Sequence, residues 1–569
     1  MKRTKRYIAD FETLYLTNEE IQQGSRSYVW AWALCDCDDY TIETGSSIKT
    51  FFDKIQTLKS CEIWFHNLKF DFQFILSYML TNGFKQVESN KNMKTFEFSS
   101  LVSVNATYSC EVKFAKNTIL FLDSYKKLPF KVSKIAKDLH MEVQKGEIDY
   151  KQKREEGAEL DPIDEDYIKR DVLIVAKAMN EIFFSKGLTK RTIGSDCLEY
   201  YKKIQPNFFK FFPKLSDKVI EFIKPAYKGG VCHVNKKKQG KILTNGKDFD
   251  MNTMYGFVQF SESGYLFPLG EPVYFKGGYT KDAMHPFYIQ RLRCSFKLNK
   301  GMQPCIQTSL NGLYRQQEYI EDTKGERIEL TLCNYDLELL FSHYDVKNIE
   351  LLGGYKFAAR RGMFDKYISY WYDKKQQAKK EHNDVEYLTS KLFLNNLGGK
   401  FAQGAIASNQ IFSLTDEGIV SRKPKTVKKE TLYLPVAIAM TAAARCELFK
   451  VIDAAGDAFV YCDTDSVKVD DVDLELPIRI DDFKLGYWKQ EAVWDQAVFV
   501  RPKTYAEHIG NHWKITGAGM NDEVKEHVIE AIEEDIHSFR IDAEFSGKLI
   551  TKHVPGGVVL QDSTFKIRA

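Results

Sequence analysis

The stretch FVYCDTDSVKV, residues 459–469, places two carboxylates at the centre of an apolar segment. Apolar side chains alternate on both sides of that centre, and a period of two predicts two β-strands joined as a hairpin. Asp463 and Asp465 are one residue apart at its tip. Two carboxylates held this close repel each other unless a cation lies between them. The stretch therefore predicts a metal site whose other ligands come from elsewhere in the chain.

A further acidic residue, Asp250, ends a short predicted strand in KDFDMNTMYGF, residues 247–257. It is far from the hairpin in the sequence, so only the fold could bring it to Asp463 and Asp465. Two metal ions held by Asp250 and Asp465, with Asp463 close by, would serve in-line nucleotidyl transfer, because they lower the pKa of a 3′-hydroxyl and bind the leaving pyrophosphate.

The N-terminal stretch IADFET, residues 8–13, carries Asp10 and Glu12 on a predicted strand. A strand alternates its faces with period two, so both side chains share one face of the sheet. Taken alone, such a pair also fits an exposed sheet edge. Two further stretches favour a metal site, because they supply more carboxylates.

These stretches are FHNLKFDFQF and YIKRDVLIV. The first predicts Asp71 at the start of a helix, and the second predicts Tyr167 and Asp171 on one face of a helix. With Asp10 and Glu12, these carboxylates could hold two divalent ions ~3.5–4 Å apart, as in phosphodiester cleavage. Oxygen ligands favour Mg²⁺ or Mn²⁺. Tyr167 would orient the attacking water.

The motifs D-x-E, N-x₂-F-D and Y-x₃-D occur in this order and resemble those of the DEDD-type 3′–5′ exonucleases. The second motif includes Asn67 and Phe70. The resemblance implies an RNase H-like domain that degrades DNA from its 3′ end.

Between the second and third motifs lies LDSYKKLPF, which mixes basic side chains with an aromatic ring. Ser124, Lys126, Lys127 and Phe130 suit a single-stranded end, since lysines bind phosphates and Phe130 could stack on a base. The alternative is a solvated start of a helix with Phe130 in the core.

Other motifs resemble those of family B DNA polymerases. YCDTDS matches the signature hairpin of that family, and TAAARC matches its T-x₂-G/A-R element in part. DMNTMYG resembles D-x₂-S-L-Y-P, KLFLNNLGGKF resembles K-x₃-N-S-x-Y-G, YKGG resembles Y-x-G-G, and KTY resembles K-x-Y. LDSYKKLPF and KGEIDY resemble the exonuclease of the protein-primed subgroup. The chain is identified by this resemblance as a protein-primed family B DNA polymerase of small tailed bacteriophages.

The resemblance implies roles for residues of the polymerase site. Asp250 and Asp465 would be metal ligands, with Asp463 nearby. Tyr255 would lie beneath the deoxyribose and exclude a 2′-hydroxyl. Lys391 and Asn395 would contact the incoming nucleotide, with Lys391 on its phosphates.

The resemblance also implies residues that contact DNA. Lys503 and Tyr505 would hold the primer strand. The template would contact Tyr227, Gly229 and Gly230. In the exonuclease, Lys145 of KGEIDY would balance charge at the scissile phosphate, and contacts to the 3′ end would come from Asn67, Phe70, Ser124 and Phe130.

We expect an α/β and α+β multidomain fold, with an exonuclease domain over residues 1–187 and a right-hand polymerase domain over residues 188–569. The predicted parts of the polymerase domain are the palm (188–260 and 425–518), a first insertion of the terminal-protein type (261–358), the fingers (359–396), a second insertion (397–424) and the thumb (519–569). The first insertion would hold a terminal priming protein. The second would close around DNA and permit strand displacement.

The polymerase motifs depart from the family at five positions. Thr253, Met254 and Gly256 replace the Ser, Leu and Pro of the first motif. Asn396 and Gly398 replace the Ser and Tyr of the finger motif, and that Tyr packs over the nascent base pair in the family. The metal ligands are intact, so an active polymerase with proofreading is favoured. The alternatives are an exonuclease with an impaired polymerase site, and a non-catalytic scaffold that binds DNA and terminal protein.

Composition limits the remaining choices. A net charge of +3 on 569 residues is too small to indicate a nucleic-acid partner by itself, so any basic surface must be local. Eleven scattered cysteines without zinc spacing predict reduced thiols. The sequence predicts no signal peptide and no membrane segment. We therefore expect a monomer in the host cytoplasm that uses Mg²⁺, two ions at each site, with Mn²⁺ able to substitute. Its partners would be primer-template DNA, single-stranded DNA, deoxynucleoside triphosphates and a terminal protein.

Overall fold

The computed structural model describes residues 4–103, 106–150, 152–310, 313–403, 410–422 and 432–568. Its N-terminal part is an eight-stranded sheet with helices on both faces. The strands are β1 (Lys5–Thr13), β2 (Val29–Asp36), β3 (Ile42–Gly45), β4 (Cys61–Phe65), β5 (Lys85–Gln86), β6 (Glu97–Val102), β7 (Thr107–Lys113) and β8 (Thr118–Asp123). The helices are α1 (Asn18–Gln22), α2 (Ile48–Thr57), α3 (Leu68–Thr81), α4 (Val132–Asp138) and α5 (Pro162–Met179).

The strand order in this sheet is β3-β2-β1-β4-β8-β7-β6-β5, which places β1 in the interior. Successive residues of a strand face opposite sides. Ile8 packs into the core on one side with Val172 of α5, and Phe11 packs on the other side with Phe72 of α3. Asp10 and Glu12 therefore share the face of Ile8, toward α5.

A seven-stranded sheet carries the signature hairpin, in the order β23-β22-β21-β10-β20-β19-β9. Its strands are β9 (Cys232–Val234), β10 (Ile242–Met251), β19 (Phe459–Asp463), β20 (Ser466–Val469), β21 (Trp488–Arg501), β22 (Thr504–Ile509) and β23 (His512–Gly517). The buried helix α14 (Leu434–Ala455) packs against it at β20. Preceding β9 are α6 (Ile193–Ile204), α7 (Phe208–Phe211) and α8 (Asp217–Ile223), and α9 (Met254–Gln259) follows β10.

The middle of the chain contains three further units. A four-stranded sheet, β11-β16-β12-β15, is accompanied by the hairpin β13–β14 and by α10. Two helices, α11 and α12, pack on each other, and α13 and the hairpin β17–β18 follow them. The bounds are β11 (Phe267–Phe275), β12 (Phe287–Leu298), β13 (Gln307–Leu310), β14 (Leu313–Tyr319), β15 (Ile328–Cys333), α10 (Asn334–His343), β16 (Tyr344–Arg360), α11 (Asp365–Lys380), α12 (Asp384–Asn396), α13 (Gly398–Phe401), β17 (Ile411–Thr415) and β18 (Gly418–Arg422).

The C-terminal part consists of α15 (Asp522–Glu534) and the hairpin of β24 (Glu544–Val554) and β25 (Gly557–Lys566). This hairpin returns to the N-terminal domain, where the Ser27 N–H donates to the Val558 carbonyl at 2.8 Å. The predicted domain boundaries stay predictions, and part of the predicted second insertion, residues 404–409 and 423–424, lies outside the described residues. Within the described residues, every helix is too short or too polar to span a bilayer.

Candidate active sites

Three of the four carboxylates predicted for the N-terminal site lie close together. Candidate ligand oxygens of Asp10 and Glu12 on β1 and of Asp171 on α5 all lie within 4.8 Å of one another. In the described part of the chain, no other group of three acidic, histidine or cysteine residues is gathered this closely. The arrangement fits the prediction that strand and helix contribute to one cation site.

Burial makes this cluster unfavourable without a counter-charge. The pKa of Asp10 is raised to about 7, first by burial and then by Asp171. Burial, Asp10 and Asp171 raise the pKa of Glu12 well above its ordinary value. A divalent cation would offset this repulsion, so the residues fit a metal ion.

Asp71, in the first turn of α3, is directed toward the same region. Its side chain is 2% exposed. Burial and then the charge of Asp10 raise its pKa well above the ordinary value. Its Oδ1 atom is buried with no hydrogen-bond partner among the described residues. An unpaired buried carboxylate oxygen is costly, so Asp71 also fits a ligand of a cation.

Lys145 and Tyr167 lie beside this cluster. Lys145 forms an ion pair with Asp171, and its Nζ atom is 5.0 Å from the centroid of the Tyr167 ring. The hydroxyls of Tyr167 and Tyr150 are 2.7 Å apart. Tyr150 was not predicted from the sequence, although it ends the same KGEIDY segment as Lys145. The pair of hydroxyls could orient a water or a phosphate.

His66 joins two residues that the sequence assigned to DNA contacts. Its Nδ1 atom lies 3.0 Å from the Ser124 Oγ, and its Nε2 atom lies 2.6 Å from the Phe130 carbonyl oxygen. Burial lowers the pKa of His66, which favours a neutral ring. The only sequence signal for His66 is its place in FHNLKFDFQF. The sequence left two alternatives for Phe130, stacking on a base or packing in the core. Its side chain is half-buried, which is intermediate between the two.

Asn67 and Phe70 flank the start of α3. Asn67 adopts a left-handed conformation with φ of +73°, and its N–H donates to the Asp123 Oδ1 at 3.1 Å. Its side chain is exposed, whereas Phe70 is half-buried with its ring centroid 5.9 Å from that of Phe74.

Lys127 differs from the prediction. Its side chain is fully buried, and its Nζ atom donates to the Asp196 Oδ2 at 2.6 Å and to the Leu188 carbonyl at 2.8 Å. The prediction that Lys127 binds phosphate is therefore wrong. Lys126 stays half-exposed, 3.6 Å from the Asp123 carboxylate.

The signature hairpin is tighter than predicted. Asp463 is the last residue of β19 and pairs with Ser466, so only Thr464 and Asp465 form the turn. Thr464 adopts φ of +60°, which closes a two-residue turn. The Met251 N–H donates to the Asp465 carbonyl at 2.8 Å, which fixes the turn beside Asp250 on β10.

The electrostatics distinguish the three aspartates of this site. Burial and then Asp465 raise the pKa of Asp250 to about 7. The pKa of Asp465 rises to about 6, mainly through burial. Asp463 is instead paired with the Lys503 Nζ at 2.6 Å. Asp250 and Asp465 therefore fit a cation best, because the negative charge of Asp463 is already balanced by its ion pair with Lys503.

A cavity of about 620 Å³ opens next to Asp250 and Asp465. Three lysines of the finger helices line it, Lys375, Lys379 and Lys391. Burial and the other two lysines lower the pKa of Lys375 to about 8. Such a cationic group fits a polyphosphate. The sequence predicted Lys391 only, because the lysines of α11 have no distinguishing pattern.

Asn395 lines the same cavity, whereas Tyr255 is absent from its lining. Tyr255 is half-buried in α9, and burial raises its pKa to about 12. The cavity wall contains its neighbours Asn252 and Thr253.

Gly398 explains one departure from the family motif. A Cβ atom at this position would overlap the Met440 sulfur of α14. Met440 thus occupies the space beside the finger motif, and the Gln259 Nε2 lies 2.9 Å from its sulfur. The neighbouring Gly399 has open space around its Cβ position.

The YKGG segment is held from two sides. The Arg445 guanidinium donates to the Gly229 carbonyl at 2.8 Å, and it pairs with Asp336 of α10. A Cβ atom on Gly230 would lie 2.6 Å from the Thr464 hydroxyl. The second glycine therefore permits close packing against the catalytic turn. Tyr227 is half-buried beside it.

Tyr505 follows the turn that carries Lys503. Its ring centroid lies 5.0 Å from that of Tyr461 and 5.2 Å from that of Phe499. The Tyr461 hydroxyl accepts from the Lys503 N–H at 3.2 Å. The KTY segment is therefore anchored directly to the strand of Asp463.

A family model described as DNA polymerase type B, organellar and viral, matches residues 54–163 and 152–479. The chain belongs to this family. The DNA polymerase of Bacillus phage Nf is 34% identical to this type B polymerase, over 99% of this chain and 100% of the relative. Phi29 DNA polymerase in an orthorhombic crystal form is similar with a TM-score of 0.89 and 32% identity, over 100% of both chains. Its ternary complex with primer-template DNA and incoming nucleotide gives a TM-score of 0.87 at the same identity and coverage.

These similarities confirm the predicted family and fold class, an exonuclease domain followed by a palm, fingers and thumb. The chain is a DNA-directed DNA polymerase with an exonuclease fold, and the chemistry of its family depends on divalent metal ions. The roles assigned to individual residues stay predictions.

Proposed function

We propose that this type B polymerase copies primed DNA at one carboxylate site and removes 3′-terminal nucleotides at the other. The observation that carries the proposal is the pair of separate acidic sites on two different sheets. Asp10 and Glu12 belong to the N-terminal sheet, and Asp250 and Asp465 belong to the palm sheet. Each site combines buried or half-buried carboxylates of raised pKa with a nearby lysine.

Magnesium ions, two at each site, are the proposed cofactors, with Mn²⁺ able to replace them. Hard carboxylate oxygens favour these ions. When bound, they would lower the pKa of the attacking hydroxyl or water and stabilise the leaving oxygen. The proposed ligands are Asp10, Glu12, Asp71 and Asp171 in the exonuclease, and Asp250, Asp463 and Asp465 in the polymerase.

In the polymerase site, the finger lysines would bind the triphosphate. Lys375, Lys379 and Lys391 line the cavity beside Asp250, and the pKa of Lys375 is lowered first by burial and then by repulsion from the other two lysines. A triphosphate would relieve that repulsion. Tyr255, which follows the cavity residues Asn252 and Thr253 along the chain, would exclude a 2′-hydroxyl. Asn395 lines the cavity and would contact the nucleotide.

In the exonuclease site, Tyr167 would orient the attacking water and Lys145 would balance charge on the scissile phosphate. Lys145 reaches the metal-binding carboxylate Asp171 directly. The single-stranded 3′ end would contact Phe130 and the exposed amide of Asn67, with Phe70 packed beside it. Ser124 is buried, so it would support this contact from beneath, through His66, which lies between Ser124 and the Phe130 carbonyl.

Lys503 and Tyr505 would hold the primer strand. Lys503 is tied to Asp463, so a primer phosphate near it would be placed beside the metal ligands. The template would pass Tyr227, Gly229 and Gly230, whose backbone is fixed between Arg445 and the catalytic turn. Primer-template DNA, single-stranded DNA and deoxynucleoside triphosphates are the proposed partners.

We further propose that synthesis begins on a terminal protein held by the first insertion, and that the enzyme acts as a monomer in the host cytoplasm. The support is the order of the subgroup's motifs, the strand-rich first insertion and the phage relatives. A radiolabelled deoxynucleotide transferred to a co-expressed terminal protein would support protein priming. Labelling that requires a DNA primer would contradict it.

A labelled primer annealed to a longer template, with Mg²⁺, tests the two activities. We expect extension with deoxynucleotides and shortening without them. Shortening under both conditions, with Mg²⁺ and with Mn²⁺, would mean that Asn396 and Gly398 mark an impaired polymerase site. No reaction under either condition would favour the non-catalytic scaffold.

A further inference from the structure

A buried trio of charged side chains crosses the palm sheet. Lys468 on β20 forms an ion pair with Asp248 on β10, and its Nζ atom donates to the Glu507 Oε1 on β22 at 2.6 Å. The side chains of Lys468, Asp248 and Glu507 are 5%, 5% and 0% exposed. The Trp494 Nε1 also donates to the Asp248 Oδ1 at 3.0 Å. The trio therefore links three strands of one sheet.

These three strands carry the proposed polymerase residues. Asp248 precedes Asp250 by two residues, and Glu507 follows Tyr505 by two residues. Residues two apart on a strand share a face, so each pair lies on one face of the sheet. Asp248 faces Lys468 across the strand pair, in the same register that places Asp250 opposite Ser466.

Lys468 also contacts the proposed primer-binding side chain. Its Nζ atom lies 4.8 Å from the centroid of the Tyr505 ring. A cation at this distance from an aromatic face is attracted to the ring, and the attraction is stronger where water is excluded. Lys468 thus links Tyr505 to β10, which carries Asp250, and to β20, which follows the turn of Asp465.

Stability alone does not account for this trio. Replacing a buried charge network by neutral groups of similar volume is often neutral or stabilising. Here two carboxylates share one ammonium, and the Glu507 Oε2 is buried without a hydrogen-bond partner among the described residues. The trio instead fixes one geometry of the three strands.

We propose that Lys468 is a positioning residue of the polymerase site. It holds the Tyr505 ring in place relative to Asp250 and Asp465, and so determines how firmly the primer end is retained there rather than released to the exonuclease. The inference rests on the proposed contact between Tyr505 and the primer strand.

The test distinguishes a role of Lys468 in positioning Tyr505 from a role in the folding of the protein. Lys468→Met alone leaves two buried carboxylates unpaired and lowers the melting temperature. The neutral triple variant Asp248→Asn/Lys468→Met/Glu507→Gln removes every charge and recovers the melting temperature. It should still raise the KM for primer-template DNA about tenfold, with kcat nearly unchanged, because it lacks the cation over Tyr505. At low deoxynucleotide concentration it should also shift the balance from extension to degradation.

Two control variants accompany the neutral triple variant. Lys468→Arg keeps a cation over the ring and should keep the wild-type KM. Lys238→Met removes another ion pair, formed with Asp470 just after β20 at 2.5 Å, and should leave the KM unchanged. Degradation of single-stranded DNA should stay at the wild-type rate in all variants.

The outcomes distinguish the inference from the function on which it rests. If the neutral triple variant recovers both the melting temperature and the KM, or if a stable Lys468→Arg variant raises the KM, Lys468 does not position Tyr505. If Tyr505→Leu leaves the KM unchanged, the proposed primer contact itself is wrong. A raised KM in both Tyr505→Leu and the neutral triple variant supports the inference.

Discussion

At the scale of single residues, both candidate sites depend on side chains whose burial is unfavourable until a ligand arrives. Asp71 is buried with an unpaired oxygen, and Lys375 is a half-buried cation beside two other lysines. Such groups destabilise a fold unless their partners are bound, which is characteristic of functional sites.

Asp71→Asn should therefore stabilise the metal-free protein while it impairs the exonuclease. The amide removes an unpaired buried charge, worth about 1–3 kcal/mol. In EDTA we expect a higher melting temperature than in the wild type, and a smaller further increase on adding Mg²⁺. Asp138→Asn, which changes an exposed carboxylate, is the matched control. An equal response to Mg²⁺ in Asp71→Asn and the wild type would exclude Asp71 as a ligand.

Gly398→Ala should destabilise the protein, because its methyl group would overlap the Met440 sulfur. Overpacking of this kind costs about 1–3 kcal/mol. Gly399→Ala meets no atom and should leave the melting temperature unchanged or slightly raised. Adding Met440→Ala to Gly398→Ala should recover part of the loss. If both glycine variants melt alike, the steric account of the finger motif fails.

At the scale of elements, the sequence predicted β1, α3 and α5 because their hydrophobic periodicity is a local signal. It also predicted that Asp10, Glu12 and Asp171 meet. It could not predict that Lys127 turns inward to Asp196, because nothing in a run of two lysines distinguishes the buried one. The lysine group of the cavity and the Lys468 trio depend on pairings between strands and helices distant in sequence, which periodicity does not encode.

Helix α11 contacts Phe483, which lines the same cavity. The Lys379 Nζ lies 3.1 Å from the centroid of the Phe483 ring, and the Gln376 Nε2 donates to the Phe483 carbonyl at 3.2 Å. Phe483→Ala should weaken this contact and raise the KM for deoxynucleotides roughly three- to tenfold. Ile480→Ala, an exposed apolar change on the same loop away from the cavity, should not. If single-turnover extension gives the same KM for deoxynucleotides in Phe483→Ala and in the wild type, the contact with α11 plays no part in nucleotide binding.

The C-terminal hairpin packs on α3 through His553, whose Nε2 atom lies 2.7 Å from the Gln73 Oε1. Burial lowers the pKa of His553 from 6.5 to about 4. Between these values the unfolded chain binds a proton that the folded chain does not, so stability falls as pH decreases through this window.

His553→Gln removes this protonation. It should therefore reduce the loss of stability between pH 7 and pH 5 by about 2 kcal/mol, measured by urea unfolding at both pH values. His512→Gln, at an exposed position, is the control. An unchanged pH dependence in His553→Gln would show that the ring titrates freely in the folded protein.

At the scale of the whole molecule, the two sheets with their acidic sites are parts of one connected structure. The hairpin β17–β18 bridges its two ends. The Phe412 N–H donates to the Gln86 Oε1 at 2.7 Å in the N-terminal domain, and Gly418 lies against Val554 of the C-terminal hairpin. The N-terminal domain and the C-terminal hairpin therefore both contact the hairpin β17–β18.

The most direct test measures both activities on one labelled primer-template in two variants. Asp465→Ala should abolish extension and keep shortening, whereas Asp10→Ala/Glu12→Ala should abolish shortening and keep extension, because each change removes ligands of one site only. Reciprocal loss would establish two independent metal sites. If either variant lost both activities while its melting temperature stayed that of the wild type, the two-site account would be wrong.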